Sequence, residues 1–276
     1  MTSNYKEYFE ANKELWNKRT AVHKDSAFYD VAFFKQGKNM LTPIELNELG
    51  DVNGKKMLHL QCHFGLDSLC WARMGAAVTG VDLSDAAIDE AKKLNNEMGL
   101  TAKFICCNVY DLKENLKGSP EGGDLEGAFD IVFTSFGVIG WLPDLDKWAS
   151  IINHFLKPGG VFYMAEFHPV VWMFDDEFTK IEYAYENREM IVIDNYGTYT
   201  DRNAEIRGKE YSWNHSLSEV LNALIKNGLQ IQLFNEFMYS PYPNFRNSVE
   251  LNPGQWHIQG MEGKIPMIFS VMAVKR

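Results

Sequence analysis

Two groups of residues carry the chemistry that this sequence makes legible. Gly65 closes a short apolar run, Met57-Leu58-His59-Leu60-Gln61-Cys62-His63-Phe64, and Asp82 ends a second one, Ala77-Val78-Thr79-Gly80-Val81. A glycine turn lets a ligand approach the backbone and the start of the next helix, while an acid at the following strand end accepts hydrogen bonds from ribose hydroxyls. That pairing is nucleotide chemistry. Glu166 and His168 form the second group, two residues apart in an extended segment with both side chains on one side. An imidazole there can take a proton near neutral pH, and the carboxylate can orient it or meet the substrate. The competing expectation is that His168, followed by Pro169, only directs the chain out of the sheet. His59-x-x-Cys62-His63 has metal-ligating residue types, but they alternate across a strand end, so structural placement is expected and no metal site. The four cysteines (Cys62, Cys70, Cys106, Cys107) include no CxxC pair, which removes the zinc-knuckle and disulfide-framework readings.

The elements around these residues follow from periodicity. Leu66, Leu69, Cys70 and Met74 recur at helical spacing after Gly65, and Gly75-Ala76 ends that helix, giving strand, turn, helix, strand. Ser84 is placed to cap a helix over Asp85 to Met98, with Asp89 and Lys93 paired outward and Gly99 closing it. A third strand spans Ala102 to Cys107, and a Gly-, Pro- and acid-rich loop over Lys117 to Gly127 is expected to be exposed and mobile. Phe129 to Ser135 is the fourth strand, Asp144 to Lys157 a helix stopped by Pro158-Gly159-Gly160, and Val161 to Glu166 the fifth strand. Ile181 to Tyr185 and Met190 to Asp194 alternate like half-buried antiparallel strands, so Val170 to Trp213 is expected to be a β insertion at the ligand end of the fifth strand. Ser216-x-x-Glu219 opens a capped helix with Leu217, Val220, Leu221, Leu224 and Ile225 inward, and Leu229 to Phe237 and Pro266 to Val274 supply two last strands. At the N-terminus a helix spans Asn4 to Lys18, with Asn4 and Glu7 at capping-box spacing, followed by an aromatic stretch from Phe28 to Phe34. That leader is expected to pack on the core and also to serve as a flap over the site.

Gln61 to Leu66 offers one glycine where a dinucleotide fold needs Gly-x-Gly-x-x-Gly. The arrangement resembles motif I of the Rossmann-like, class I methyltransferases that use S-adenosylmethionine. Aligned on Gly65, the sequence departs from that pattern, with His59 at the motif's acid and Gln61 and His63 at its first two glycines. Two further stretches carry the resemblance: Phe129-Asp130-Ile131-Val132 in the fourth strand, and Lys157-Pro158-Gly159-Gly160 directly before an apolar strand. It covers about Asp51 to Pro169. The family implies a doubly wound, mostly parallel seven-stranded α/β sheet whose final strand pair is an antiparallel hairpin, with an N-terminal segment over the site. It implies S-adenosylmethionine as cofactor, with the motif I residues Gln61, Cys62, His63 and Gly65 at its methionine end. Asp82, with Leu83 beside it, is the expected ribose ligand. Asn108 and Val109 fall where the family sets an Asp or Asn against the adenine amino group, and Ser135 and Phe136 stand at the site end of the fourth strand.

The implied organisation is a cap over 1–50, a methyltransferase core over 51–169 and 214–276, and an insertion over 170–213. Ser135-Phe136-Gly137-Val138 lacks the Asn/Asp-Pro-Pro-aromatic motif of amino-directed enzymes acting on DNA bases or glutamine, and no Pro-Cys nucleophile or three-cysteine radical cluster is present. A small-molecule acceptor remains, in a pocket for which Trp141, Tyr110 and Trp172 are candidates. Two other readings stay open: a catalytically silent adenosyl-ligand binder, and an NAD(P)-dependent oxidoreductase. A formal charge of −10 disfavours nucleic acid, since phosphate contacts need Lys and Arg. No apolar run reaches the roughly 18 residues of a membrane span, and Met1 to Lys6 lacks a signal-peptide profile, so no membrane partner and a cytoplasmic location are expected.

Overall fold

The structure is a computed structural model and describes residues 5–116 and 127–276. Its centre is a sheet whose strands are short and apolar because both faces are covered. The strands β1 (Lys56–Leu60), β2 (Ala77–Asp82), β3 (Lys103–Cys106), β4 (Phe129–Thr134) and β5 (Leu156–Phe167) run parallel in the order β3-β2-β1-β4-β5. The hairpin β6 (Ile191–Tyr196) and β7 (Arg207–Ser212) stands apart as a separate antiparallel pair. Then β8 (Leu229–Phe237) forms the sheet edge, β9 (Ser248–Asn252) and β10 (Gln255–Ile258) form a second small hairpin, and β11 (Ile268–Lys275) inserts between β5 and β8, antiparallel to both. This is the seven-stranded, mostly parallel α/β sheet expected, with its reversed final strand.

The period of two along each strand divides the core. Met57, Phe133, Tyr163 and Ala165 face one layer, with Leu66, Leu69 and Trp71 of a helix following β1. Leu58, Leu60, Val132, Phe162 and Met164 face the other, with Trp148, Ile152 and Phe155 of a helix following β4. In chain order the helices are α1 (Lys6–His23), α2 (Val31–Lys35), α3 (Pro43–Leu49), α4 (Leu66–Arg73), α5 (Asp85–Glu97), α6 (Leu112–Leu116), α7 (Leu145–Phe155) and α8 (Leu217–Lys226). Ser84 caps α5 by accepting the Ala87 N–H, and Ser216 caps α8 by accepting the Glu219 N–H.

Several boundaries differ from expectation, each for a physical reason. The first helix runs on through Trp16–Arg19 to His23, because tertiary contacts hold its last turn; the expected Asn4 cap lies outside the described residues, as do residues 117–126 of the expected loop. Lys93 pairs with Glu90 at 3.3 Å and Glu97 at 4.0 Å rather than with Asp89. The helix before Pro158 stops at Phe155, and the residue before a proline is extended, so Lys157-Pro158-Gly159-Gly160 already belongs to β5. Ile181 to Tyr185 is not a strand: Ile181 makes a single bridge to Phe174 and is 63% exposed. The partner of β6 is instead Arg207–Ser212, a polar stretch selected by pairing rather than by apolar alternation. Ile225 is 54% exposed and Ala223 takes the inward position on α8. The β9–β10 hairpin lies in a stretch for which the sequence predicts no element.

The leader and the insertion are bound to each other. Asn12 of α1 donates its Nδ2–H to the Tyr211 carbonyl at 2.8 Å and accepts the Tyr211 N–H at 2.9 Å, so a side-chain amide completes the free edge of β7. Arg19 pairs with Glu210 at 2.7 Å, and Tyr8 lies over Tyr211 with ring centroids 4.6 Å apart. None of the helices among the described residues is long and apolar enough to cross a membrane.

Candidate active site at the strand ends

The turn after β1 is built with glycine geometry at three successive alternate positions. Gly65 has φ +79°, and a Cβ there would meet the Phe104 ring at 2.7 Å, so both conformation and space require glycine. Gln61 (φ +55°) and His63 (φ +49°) adopt the same left-handed region without being glycine. Such residues cost on the order of 1–3 kcal/mol each and persist only where surrounding contacts hold them. Those contacts are present. Gln61 donates Nε2–H to the Val138 carbonyl at 2.9 Å, tying the end of β1 to the loop after β4. His63 Nε2 meets His23 Nδ1 of α1 at 3.0 Å, and His23 Nε2 meets Thr198 Oγ1 of the insertion at 2.6 Å. One chain of hydrogen bonds thus links the leader, the motif I loop and the insertion. Burial holds both imidazoles neutral, His23 at about 2 and His63 at about 3, with Arg19 reinforcing each.

Asp82 lies at the end of β2, as expected. Its Oδ2 accepts the His63 N–H and its Oδ1 accepts the Ser84 N–H, both at 2.8 Å, and the nearby Leu83 N–H, outside hydrogen-bond geometry, adds a smaller pull. Burial outweighs these donors and raises the carboxyl to about 6. A carboxylate has about four lone-pair sites, so each Asp82 oxygen retains room for one more donor, which suits the two hydroxyls of a ribose. Gln61 Oε1 is buried with no hydrogen-bond partner in the same loop, an acceptor that an ammonium group would satisfy. Both observations fit S-adenosylmethionine, whose ribose and α-ammonium supply such donors.

The remaining expected cofactor residues fall around these two. Cys62 is buried, its thiol pushed well up by burial, and its N–H pairs with the Val81 carbonyl. Half-buried Leu83 offers its carbonyl to the Cys106 thiol, and half-buried Asn108 caps the following turn through the Tyr110 N–H at 3.0 Å, with Val109 buried beside it. Ser135 meets His59 Nε2 at 3.3 Å and lies close enough to lower Asp67, and Phe136 packs against Phe167 and Tyr242. His59, in the motif's acid position, is fully buried between Ser135 and Ser68, and burial lowers it to about 3. No group of three or more His, Cys, Asp and Glu able to hold a metal occurs among the described residues.

Glu166 and His168 do not form the expected pair. Glu166 Oε1 accepts the N–H groups of Gly137 (2.5 Å) and Phe167 (2.7 Å), and Oε2 those of Val138 (2.7 Å) and Ile139 (3.1 Å). Every lone-pair site is taken, and the carboxylate closes the turn after β4. His168 Nε2 meets Glu236 of β8 at 2.9 Å, while its Nδ1 accepts the Val170 N–H at 3.2 Å. That leaves the ring as a pin between β5 and β8.

Of the aromatic candidates, Trp141 lies at the site: its ring is 5.3 Å from Trp16, which is itself 5.1 Å from His63. Tyr110 instead bridges to the backbone of Asp144, and Trp172, 39% exposed, packs on Phe167 and Phe245. Trp16 and His23, seven residues apart on α1, cover the motif I loop, while Asn17 accepts the Ser84 hydroxyl at 2.6 Å, so the leader packs on the core and spans the site mouth together. Their heptad spacing was a usable signal; Tyr29, Asp67, Tyr199 and Tyr242, which also gather here, had none. Two surface hollows of about 300 and 380 Å³ lie elsewhere, one beside α7 and one around the start of β4 and the turn opening β5.

Residues 57–160 match the family model of a methyltransferase domain. A ubiquinone biosynthesis O-methyltransferase of Pasteurella multocida is 29% identical over 132 residues, covering 46% of this chain and 54% of that protein. An uncharacterised methyltransferase of Synechocystis sp. is 33% identical over 140 residues, covering 50% and 59%. The chain thus spans little more than half the length of these curated relatives. Among solved structures, a geranyl diphosphate C-methyltransferase of Streptomyces coelicolor A3(2), in complex with S-adenosyl-L-homocysteine, superposes with TM-score 0.58 at 16% identity, covering 98% of each chain. An S-adenosylmethionine-dependent methyltransferase of Mesorhizobium loti gives TM-score 0.56 at 19% identity, covering 87% of this chain and 100% of that one. At such identities the structures speak for the fold alone, which is that of S-adenosylmethionine-dependent methyltransferases, and the sequence match speaks for residues 57–160, which are similar to a methyltransferase domain.

Proposed function

We propose that the protein transfers a methyl group from S-adenosylmethionine to an oxygen, nitrogen or carbon atom of a small molecule. The observation that carries the reading is Asp82: a half-buried carboxylate at the end of β2 that holds the motif I loop through His63 and Ser84 yet keeps acceptor capacity on both oxygens. Bound S-adenosylmethionine supplies a methyl group on a positively charged sulfur, activated without help from the protein. Asp82 accepts the ribose hydroxyls, with Leu83 beside it. Gln61 Oε1 accepts from the α-ammonium, and Cys62, His63 and Gly65 shape the loop around it. Asn108 and Val109 flank the adenine, and Ser135 and Phe136 border the methyl end. Trp16 and Trp141 exclude water above the motif I loop.

Glu166 and His168 act here by positioning: the carboxylate sets the 137–139 turn that carries the carbonyl held by Gln61. Alignment of an acceptor lone pair with the methyl group is then sufficient for transfer, without a dedicated base. The relatives are named for O- and C-methylation, and neither atom is favoured by a residue described above. A small-molecule acceptor in the cytoplasm remains part of the reading, and the net charge of −10 supports a partner other than nucleic acid.

Calorimetric titration with S-adenosylmethionine, S-adenosylhomocysteine and NAD tests the cofactor. The adenosyl ligands are expected to bind and NAD not to. Methyl transfer to a metabolite panel then separates an enzyme from a silent adenosyl binder. Binding of NAD alone would defeat the proposal.

A further inference from the structure

Beside the motif I loop, distant parts of the chain converge on a second group of side chains. Tyr29 comes from the leader, Glu45 from α3, Asp67 from the first turn of α4, Tyr199 from the insertion and Tyr242 from the segment after β8. The hydroxyls of Tyr29 and Tyr199 are hydrogen-bonded to each other. Phe28 joins the group, its ring 5.4 Å from Tyr199 and 5.7 Å from Tyr242, and Phe136, next to the end of β4, lies 5.4 Å from Tyr242. Asp67 lies near enough for its charge to oppose ionisation of Glu45, Tyr29 and Tyr242, and the Ser135 side chain is close enough to lower Asp67 in turn.

Two features of this group are unfinished. Glu45, the capping-box residue of α3, is 1% exposed; its Oε2 accepts the Thr42 N–H at 2.7 Å, while its buried Oε1 makes no hydrogen bond of normal length and has only the Thr42 hydroxyl pulling on the carboxyl beside it. Among the described residues, no ion pair reaches Glu45 or Asp67. Two neighbouring carboxyls, Glu45 buried and Asp67 half-buried, are unfavourable without a cation, and burial accordingly raises both above the usual carboxylate range. Unused acceptor capacity, missing positive charge and several tyrosine rings complement one kind of group: a compact cation bearing N–H donors, stabilised by carboxylate and by ring quadrupoles together.

Building on the methyltransferase reading, we propose that the acceptor is a small amine whose ammonium group is held by Asp67 and Glu45 among the rings of Tyr29, Tyr199 and Tyr242. Ser135, close enough to Asp67 to lower its pKa, lies between this anchor and the strand end where the methyl group is presented. A protonated nitrogen has no lone pair, so the ammonium orients the molecule and does not itself attack.

The test uses the full chain saturated with S-adenosylhomocysteine and titrates phenethylamine against phenethyl alcohol, which differ in the cation alone. The amine is expected to bind roughly tenfold tighter. Asp67→Asn and Glu45→Gln should each erase that preference while S-adenosylhomocysteine affinity stays within about twofold. If Asp67→Asn fails to fold, Tyr242→Leu decides, and it should weaken the amine about fivefold and leave the alcohol unchanged. No preference for the amine in the wild-type protein overturns the proposal. So does an equal loss of S-adenosylhomocysteine affinity in Asp67→Asn, which would give the carboxyl to the cofactor's own ammonium. Failure of S-adenosylhomocysteine to bind the wild-type chain is a different result and overturns the methyltransferase reading beneath it.

Discussion

The ends of β2 and β5 each present a carboxylate to backbone N–H donors, Asp82 half-buried and Glu166 buried, and they differ in what is left over. Asp82 accepts one N–H per oxygen, while Glu166 accepts two per oxygen. Both are raised by burial and pulled down by their donors. The difference lies in lone pairs. A carboxylate whose acceptor sites are all used can only shape its surroundings, whereas one with sites to spare can bind a ligand. A raised pKa marks both groups alike and does not distinguish site from scaffold.

The comparison is broken most directly at Glu166. Glu166→Ala leaves the N–H groups of Gly137, Val138, Ile139 and Phe167 without their acceptor, at a cost of roughly 3–5 kcal/mol. For a chain of this size the unfolding midpoint should fall by about 6–15 °C in a thermal melt. A variant of unchanged stability that has lost turnover would instead return Glu166 to the chemistry.

Asp82 should respond in the opposite sense. Asp82→Ala is expected to weaken S-adenosylmethionine by roughly ten- to a hundredfold, from the loss of charge-assisted hydrogen bonds of about 1.5–3 kcal/mol, with a smaller change in the melt. Only the ionised carboxylate accepts from both hydroxyls, and its value of about 6 lies above the ordinary one, so wild-type affinity falls as pH drops through 6. Between pH 7.5 and 5 the ionised fraction falls about tenfold, and calorimetry should follow it. Asp82→Asn should be flat over the same range. A wild-type affinity independent of pH would remove Asp82 from the ribose.

The smallest effect concerns His168, whose partner Glu236 is 43% exposed. His168→Asn should cost about 1 kcal/mol of stability and leave cofactor affinity and turnover unchanged. A tenfold fall in turnover without a change in the melt would restore the acid–base role expected of it from the sequence.

What the chain order alone determined is local. The apolar runs at Met57 to Leu60 and Phe129 to Thr134, the Ser84 and Ser216 caps, and the Pro158-Gly159-Gly160 stop are set by residues within a turn of one another, and each lies where expected to within a few positions. From those elements the parallel sheet follows, and Asp82 comes to a strand end because the periodicity puts it there. Only the tertiary structure decided which polar groups would be consumed. The sequence places Glu166 and His168 on one short segment but says nothing of the 137–139 turn or of β8, which take them up. It marks Gln61 and His63 as departures from a glycine pattern, yet the partners that keep them left-handed, Val138 and His23, lie 77 and 40 residues away. Tyr29, Tyr199 and Tyr242 meet through the leader, the insertion and the last crossover, none of which has a periodicity pointing to the others. Hydrogen-bond capacity is a property of a residue type, but whether that capacity is filled depends on neighbours that only folding brings within 3 Å.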